Sequence, residues 1–204
     1  MPKPRSVVIF DLGGVLIDWN PRHLYRKLFD GDAAAMEAFL SDVCHSDWNL
    51  QQDAGRSFAE AEAEAIARHP DKARLIRAWR ARFAEMIPGA LDEVVAILGE
   101  LRARGTRLYA LSNWSAETFP GQRPRFPFLD WFAGIVLSGE ERLVKPDPRL
   151  YRLLLERYGV AAADAVFIDD NPVNAQAATA LGIHGVHFRA ADALRGELQA
   201  LGLL

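Results

Sequence analysis

The chain has 204 residues, half of them hydrophobic and a quarter charged, which indicates one globular core with at most a modest insertion and excludes intrinsic disorder. The formal net charge of -3 and the lack of any Lys/Arg run argue against a nucleic-acid partner. The single cysteine, Cys44, fits a reducing compartment, and no apolar stretch approaches the roughly 18 residues of a membrane helix, so we expect a cytoplasmic protein without a membrane partner.

The first predicted strand runs from Ser6 to Phe10 and leads directly into Asp11. Its uninterrupted apolar residues indicate burial on both faces, as in a parallel sheet covered by helices. Asp11 then lies at the carboxyl end of the strand, where open α/β sheets bind ligands. Gly13 and Gly14 allow a tight turn and the close approach of an anion, although Asp and Gly are also ordinary turn residues.

A long helical segment is predicted next, from about residue 22 to 87. The stretches from Ala33 to His45 and from Phe58 to His69 are rich in Ala and Glu, which are strong helix formers. Ser57 and Glu60 form the pattern of a capping box at the start of the second stretch. A further apolar helix face is predicted at Leu75, Ile76, Trp79 and Phe83. The segment is therefore predicted to be a helical insertion after the first strand.

From Pro88 onward, helices and strands alternate, which predicts βαβ crossovers and a parallel sheet. Gly105 ends the first of these helices, and Asp147 with Pro148 begins another. The segment from Glu117 to Phe132 contains three prolines and is predicted to be a functional connection with little regular structure. The predicted strands are 107–111, 134–137, 165–168 and 183–188.

Polar side chains follow the first strand and two of the later strands, and the carboxyl ends of parallel strands share one edge. We therefore expect Asp11 to meet the following residues there: Ser112, Asn113, Lys145 (reaching in from a loop), Asp169 and Asp170. Each taken alone has a bland interpretation as a turn residue, a solvated lysine or a helix cap. All of them in order, each near a strand end, indicate a catalytic pocket.

The chemistry of such a pocket follows from its charges. Two carboxylates held close together need a cation between them, and oxygen ligands suit Mg²⁺. Lys145 and the metal would neutralise a phosphoryl group, and Ser112 with nearby backbone N–H groups would bind its oxygens. Asp11 could then attack phosphorus and form an aspartyl-phosphate.

These residues resemble the four motifs of the haloacid dehalogenase superfamily, and the resemblance covers the whole chain. The pattern looks closest to bacterial sugar phosphatases of the glucose-1-phosphate type and to the N-terminal phosphatase domain of soluble epoxide hydrolases. It implies a Rossmann-like α/β core, a parallel sheet with helices on both faces, at residues 1–17 and 88–204, and a helical cap at 18–87. The motifs are Phe10-Asp11-Leu12-Gly13-Gly14-Val15, Leu111-Ser112-Asn113, Val144-Lys145-Pro146 and Phe167-Ile168-Asp169-Asp170-Asn171.

The resemblance also implies a role for each motif residue in a Mg²⁺-dependent phosphatase that acts on a small phosphorylated metabolite, with a sugar phosphate as one candidate. Asp11 is the implied nucleophile, and Lys145 steadies it and the transferring group. Ser112 binds the substrate phosphate, and Asn113 is a further substrate-binding residue. The implied Mg²⁺ ligands are Asp11, the backbone carbonyl of Gly13, and Asp170, which is preferred because relatives often have Gly in place of Asp169.

One departure concerns position 13, where most phosphatases of this superfamily carry an Asp that protonates the leaving group. General acid–base help of this kind is typically worth about 10²–10⁴-fold, and Gly13 cannot supply it. The missing acid leaves open a catalytically weak ligand-binding protein. A 2-haloacid dehalogenase that acts through an ester on Asp11 is a second alternative, although that reaction in the family needs no metal and the Asp169-Asp170 pair speaks against it.

Aromatic and polar residues of the helical segment could also face the substrate. For each of them a structural role is the favoured interpretation, because Trp is often packed in the interior and polar surface residues are common. The histidines show no spacing typical of metal ligands. The candidates are Trp19, Trp48, Asn49, Gln52, Asp53, Arg56 and, outside the segment, Trp114.

Overall fold

A five-stranded, entirely parallel sheet forms the centre of the protein, as predicted. The computed structural model describes residues 5–204, so the first four residues of the predicted core segment 1–17 lie outside it. The strands follow the order β3-β2-β1-β4-β5 across the sheet. Their bounds are β1 Val7–Phe10, β2 Arg107–Ser112, β3 Gly134–Leu137, β4 Ala165–Asp169 and β5 His184–His187.

The central position of β1 explains its uninterrupted apolar sequence. It pairs with β2 on one side and with β4 on the other. Val8 and Phe10 belong to the apolar cluster on one face of the sheet, and Val7 and Ile9 to the cluster on the other. Burial on both faces is thus confirmed, and Asp11 emerges at the middle of the ligand-binding edge.

Helices cover both faces of the sheet, and none in residues 5–204 has the length and apolar character needed to cross a membrane. The α-helices are α1 Arg22–Leu28, α2 Ala33–Asp42, α3 Ser46–Asp53, α4 Phe58–Arg68, α5 Ala73–Ala81, α6 Asp92–Ala103, α7 Phe119–Gln122, α8 Ser138–Glu141, α9 Pro148–Arg157, α10 Pro172–Ala180 and α11 Ala191–Ala200. Short 3-10 turns occupy Pro70–Lys72, Phe83–Met86, Arg123–Arg125, Pro127–Trp131 and Ala162–Asp164.

Helices α1 to α5 form the insertion between β1 and α6. The two connections to the sheet run side by side: Ile17 pairs with Ala90, and the Asp18 N–H donates to the Gly89 carbonyl at 3.1 Å. Apolar residues of the insertion continue the cluster on one face of the sheet. A cap spanning residues 18–87 remains our proposal for the domain division, and the paired connections support it.

Local details agree with the predicted helix signals and add one correction. The Ser57–Glu60 capping box is confirmed, and Asp147 caps α9 as predicted. Gly105, with a φ of 78°, follows the end of α6. The connection from Glu117 to Phe132 is more regular than predicted, because α7 and two 3-10 turns lie within it. Its prolines stand in the first turns of these short helices, where a missing N–H costs no hydrogen bond.

Candidate active site

Asp11 lies directly beyond β1, and both of its carboxylate oxygens have partners. Oδ1 accepts from the Ser112 hydroxyl at 2.8 Å and from the Leu12 backbone N–H at 2.7 Å. Oδ2 lies 2.9 Å from the Lys145 ammonium. Ser112 is the last residue of β2, and Lys145 comes from the loop before α9. The sheet edge therefore brings together side chains that are far apart in sequence.

Lys145 is buried between two carboxylates. Its side chain is 1% exposed, and its Nζ lies 2.7 Å from Asp169 as well as next to Asp11. Burial alone would lower the pKa of this ammonium, but the charges of Asp11 and Asp169 outweigh burial and raise it. The group thus remains a fixed positive charge inside the pocket.

Asn113 holds the Lys145 loop in place. Its Oδ1 accepts from the Lys145 backbone N–H at 2.8 Å, and its Nδ2 donates to the Lys145 carbonyl at 3.1 Å. Both polar ends of the side chain are used in this way. A direct contact of Asn113 with substrate stays a prediction, and the contacts present make it a positioning residue for Lys145.

The two carboxylates after β4 have different surroundings. Asp169 is fully buried, and besides Lys145 it accepts from the Asn174 side chain at 3.0 Å and the Asn171 backbone N–H at 2.8 Å. Asp170 is exposed, and its carboxylate lies so close to Gly14 that a Cβ there would overlap it. Gly14 also has a φ of 73°, so a glycine is needed at this position on both counts.

Negative charge exceeds positive charge at this edge. Asp11, Asp169 and Asp170 each offer an oxygen, and these oxygens lie within 4.8 Å of one another. Burial raises the pKa of Asp11 to about 7, although Lys145 pulls it down. Asp170 is accessible at its outer side, but partial loss of water around its carboxyl and the charge of Asp169 raise its pKa as well. One ammonium does not balance three carboxylates, and an all-oxygen donor set fits a hard divalent cation such as Mg²⁺.

A cavity of about 710 Å³ lies between this edge and the helical insertion. Asp11, Gly13, Ser112, Asn113 and Asp170 border it from the sheet. The insertion contributes nearly as many polar as apolar residues, and the apolar ones include Leu40, Leu50, Phe58, Trp79 and Phe83. The reactive edge therefore opens into a chamber large enough for a small organic molecule.

The candidates from the helical segment, except Arg56, fall into two groups together with Trp114. Trp19 and Trp114 border the cavity, together with Asn49 and Asp53. Trp48 is instead buried in the interior against Trp79, with ring centroids 5.3 Å apart, so its structural interpretation is confirmed. Gln52 is likewise fully buried.

For Asp53 the sequence favoured a structural role, whereas the structure places this residue at the cavity beside the carboxyl edge of the sheet. It is the last residue of α3, and its carboxylate accepts from the Asn49 side chain at 2.9 Å and from the Ser115 backbone N–H. No local pattern points to this placement, because Ser115 lies some sixty positions further along the chain.

A family model described as haloacid dehalogenase-like hydrolase matches residues 6–182. The chain belongs to this family. The superfamily prediction is confirmed and the protein is a hydrolase, whereas its closeness to glucose-1-phosphate phosphatases or epoxide hydrolases stays a prediction.

Several relatives of this haloacid dehalogenase-like hydrolase have named activities. The sesquiterpene phosphatase astK of Aspergillus oryzae is 28% identical over 96% of both chains. The phosphoglycolate phosphatase of Rhodospirillum rubrum is 31% identical over 90% of this chain and 78% of its own. Dehalogenases match as well, over 44% and 69% of this chain. Other relatives are longer, and the chain matches 19% to 46% of their length.

Solved structures show the same fold. The HAD family enzyme bt-2542 of Bacteroides thetaiotaomicron, determined as a magnesium complex, superimposes with a TM-score of 0.70 at 24% identity. The match covers 92% of this chain and 95% of that one.

The glycine at position 13 of this hydrolase is not imposed by crowding. A Cβ added there would make ordinary contact, 3.8 Å from the Cβ of Trp19, and its φ lies outside the left-handed region. Position 13 thus has room for a side chain but offers no acid or base to the cavity.

Proposed function

We propose that this hydrolase is a Mg²⁺-dependent phosphatase that acts through an aspartyl-phosphate on Asp11. The proposal rests on the contacts of the Asp11 carboxylate. Its Oδ1 accepts from the Ser112 hydroxyl, its Oδ2 lies beside the Lys145 ammonium, and two more carboxylates have oxygens within 4.8 Å. A nucleophile, a hydroxyl donor and fixed positive charge are the groups that phosphoryl transfer requires.

The residues of the chain divide the work. Asp11 attacks phosphorus, while Lys145 offsets the negative charge that gathers on the phosphoryl oxygens. Ser112 lies within hydrogen-bond distance of Asp11, so its hydroxyl can turn to a phosphoryl oxygen beside it. Asp169 fixes Lys145 from behind, and Asn113 fixes the Lys145 backbone.

The carboxylate cluster fits Mg²⁺, and Asp11, Asp170 and the backbone carbonyl of Gly13 would hold it. Bound there, Mg²⁺ supplies positive charge that favours ionised Asp11 and polarises the phosphoryl oxygens. Asp169 is already engaged by Lys145, Asn171 and Asn174, which supports Asp170 as the ligand of the pair.

The substrate we propose is a small phosphorylated metabolite whose leaving group fills the cavity. A volume of about 710 Å³ accommodates a sugar phosphate, as the sequence suggested, and the aromatic and aliphatic side chains among the lining residues also suit an aryl or prenyl group. The named relatives that are phosphatases act on unlike compounds, so the panel should span sugar, carboxylic-acid, aryl and prenyl phosphates.

The test is phosphate release from that panel in the presence of Mg²⁺ or of EDTA, for the wild type and for Asp11→Asn. We expect turnover with Mg²⁺, none with EDTA, and a loss of about 10⁴-fold or more in the variant, because a covalent step cannot proceed without its nucleophile. Asp130→Asn, the same change at an exposed site, is the matched control and should retain full activity.

A second readout follows metal binding without turnover. Mg²⁺ should raise the melting temperature of the wild type, since a ligand at 100 times its Kd stabilises the folded state by about 2.7 kcal/mol. Asp170→Asn should lose most of this increase. A folded wild type that releases no phosphate from any compound would sink the proposal.

Dehalogenase chemistry is the second candidate, because dehalogenases are among the relatives. In that reaction Asp11 attacks carbon and forms an ester, and halide release that EDTA does not affect would support it. Phosphate binding that persists without turnover would favour the third reading, a ligand-binding protein. The cytoplasmic location stays a prediction.

A further inference from the structure

Cleavage of an unactivated phosphate ester needs a proton for the departing oxygen. The side chain at position 13 is a hydrogen atom, so it supplies none. Asp11 and Asp170 belong to the carboxylate cluster, and Lys145 is held by two carboxylates. The remaining acidic side chain that borders the cavity in residues 5–204 is Asp53.

Asp53 is anchored to the loop that follows Ser112. Its carboxylate accepts the Ser115 N–H, and its backbone carbonyl accepts from the Ser138 hydroxyl at 2.5 Å. Ser138 in turn accepts from the Trp114 N–H at 2.9 Å. The end of α3 is thereby fixed to the backbone two and three residues beyond Ser112, although it belongs to the helical insertion.

The surroundings of Asp53 suit a group that both gives and takes a proton. Burial raises its pKa to about 7; the Ser115 N–H and Lys145 lower it, and Asp11 raises it. On its own helix it meets the neutral amide of Asn49, and Ser138 of α8 contacts its backbone. A carboxyl with a pKa near neutrality is well placed for general acid–base work.

Asp53 borders the same cavity as Asp11, but it is not one of the three carboxylates whose oxygens lie within 4.8 Å of each other. His45 also borders the cavity, but it caps the opposite end of α3, about 12 Å away along the helix axis. Its Nδ1 already accepts the Trp48 N–H.

We propose that Asp53, supplied by the helical insertion, is the general acid and base of this enzyme, in place of a side chain at position 13. The inference rests on the proposed phosphatase function. It assigns the insertion a direct part in the chemistry as well as in enclosing the substrate.

Two steps follow. In the first, an Asp11 oxygen bonds to phosphorus, the bond from phosphorus to the leaving oxygen breaks, and that oxygen keeps the electron pair and takes the Asp53 proton. In the second, Asp53 carboxylate removes a proton from water, whose oxygen bonds to phosphorus. The bond from phosphorus to Asp11 then breaks, its electron pair returns to Asp11, and inorganic phosphate leaves.

The experiment compares phenyl phosphate with p-nitrophenyl phosphate in the wild type and in Asp53→Asn. The two compounds have nearly the same shape, but nitrophenolate leaves without a proton. Phenol has a pKa of about 10, like tyrosine, so the departing phenolate is a stronger base and leaves faster when it is protonated. We expect Asp53→Asn to lower kcat/KM for phenyl phosphate by about 10²-fold or more, and for the nitro compound by less than about tenfold. The ratio of the two values does not depend on how much of the variant is folded.

Two further readouts separate an acid from a positioning residue. The kcat/KM of the wild type for phenyl phosphate should fall as the pH rises above about 7, because the acid must be protonated, and this fall should vanish in Asp53→Asn. Gly13→Asp in the Asp53→Asn background should restore part of the activity on phenyl phosphate, since position 13 has room for the side chain.

Asp47→Asn is the matched control, an exposed aspartate on the same helix, and it should change neither compound's kcat/KM. An equal loss on both compounds in Asp53→Asn would overturn the inference and leave the phosphatase function standing. A wild type inactive on both compounds and on the wider panel would overturn the phosphatase function, and the inference with it.

Discussion

Lys145 is the residue on which the charge balance of the site depends. It is 1% exposed and bridges Asp11 and Asp169, which are 10% and 0% exposed. Removing one partner of a buried ion pair is more costly than the pair is stabilising, because the charge that remains has no partner and no water. Here two carboxylates would be left without their cation.

Lys145→Met should therefore lower the free energy of unfolding by about 3–5 kcal/mol at pH 8 in EDTA. The loss should shrink toward pH 5. Asp11 already has a pKa raised to about 7, above its unfolded value, so the folded protein binds a proton there as the pH falls. Without Lys145 this pKa rises further, and the protonated carboxyl no longer needs the cation. Urea unfolding at the two pH values measures the difference.

The control for this change is Lys72→Met, at a surface lysine whose side chain is 44% exposed and is paired with Asp71. It should alter the free energy of unfolding by no more than about 0.5 kcal/mol at either pH. A loss in Lys145→Met that is the same at both pH values would show that the carboxylates do not depend on the ammonium.

The position of a site residue could be predicted from the sequence when the residue directly follows a predicted strand or lies in a recognisable motif. Asp11, Ser112, Lys145 and Asp170 follow apolar strands or a recognisable loop, and a parallel sheet brings such positions together. The hydrogen bonds of Asn113 to the Lys145 backbone connect positions 32 apart, and nothing near Asn113 in the sequence indicates them. The place of Asp53 in the site could not be predicted either, because its partner Ser115 is also distant in the sequence.

At the scale of elements, the contact between α3 and α8 sets where Asp53 lies. Gly55, just after α3, has a φ of 94°, and a Cβ there would lie 2.9 Å from Cγ of Arg142 and 3.2 Å from the Gly139 carbonyl. Both the backbone conformation and the close approach of α8 require a glycine. A side chain at this point would push the end of α3 away from the sheet.

Gly55→Ala should destabilise the fold by about 1–2 kcal/mol, the cost of a left-handed conformation for a residue with a Cβ. It should also lower kcat/KM on phenyl phosphate by more than the unfolded fraction explains, because Asp53 moves with α3. Gly121→Ala, where a Cβ would meet nothing within 4 Å and φ is not positive, is the control. Equal effects of the two substitutions would contradict the importance of the α3–α8 contact.

Elements were predicted well where their signals are local. The capping box of α4, the Asp147 cap of α9 and the buried strands β1 and β4 all follow from a few adjacent residues. The segment from Glu117 to Phe132 was underestimated because its helical turns are short and proline-rich, and they are stabilised by packing. Phe126, Phe128 and Leu129 are buried there, which no local periodicity reveals.

At the scale of the whole molecule, one cavity joins two parts of the chain with different tasks. The sheet edge presents Asp11, Ser112 and Lys145, which we propose carry out phosphoryl transfer. We also propose that the insertion encloses the leaving group and supplies its proton through Asp53. The two connecting segments, at Ile17 and Ala90, run side by side, so the insertion is joined to the sheet through two adjacent, paired segments of the chain.

The most direct measurement is to trap the intermediate on Asp11. During turnover of a phosphate ester with Mg²⁺, acid quenching followed by borohydride reduction converts an acyl phosphate to an alcohol, which mass spectrometry locates in the peptide. We predict that the modified residue is Asp11 in the wild type and that Asp11→Asn shows no such product. An unmodified Asp11 peptide at every quench time, while phosphate is released, would contradict the account.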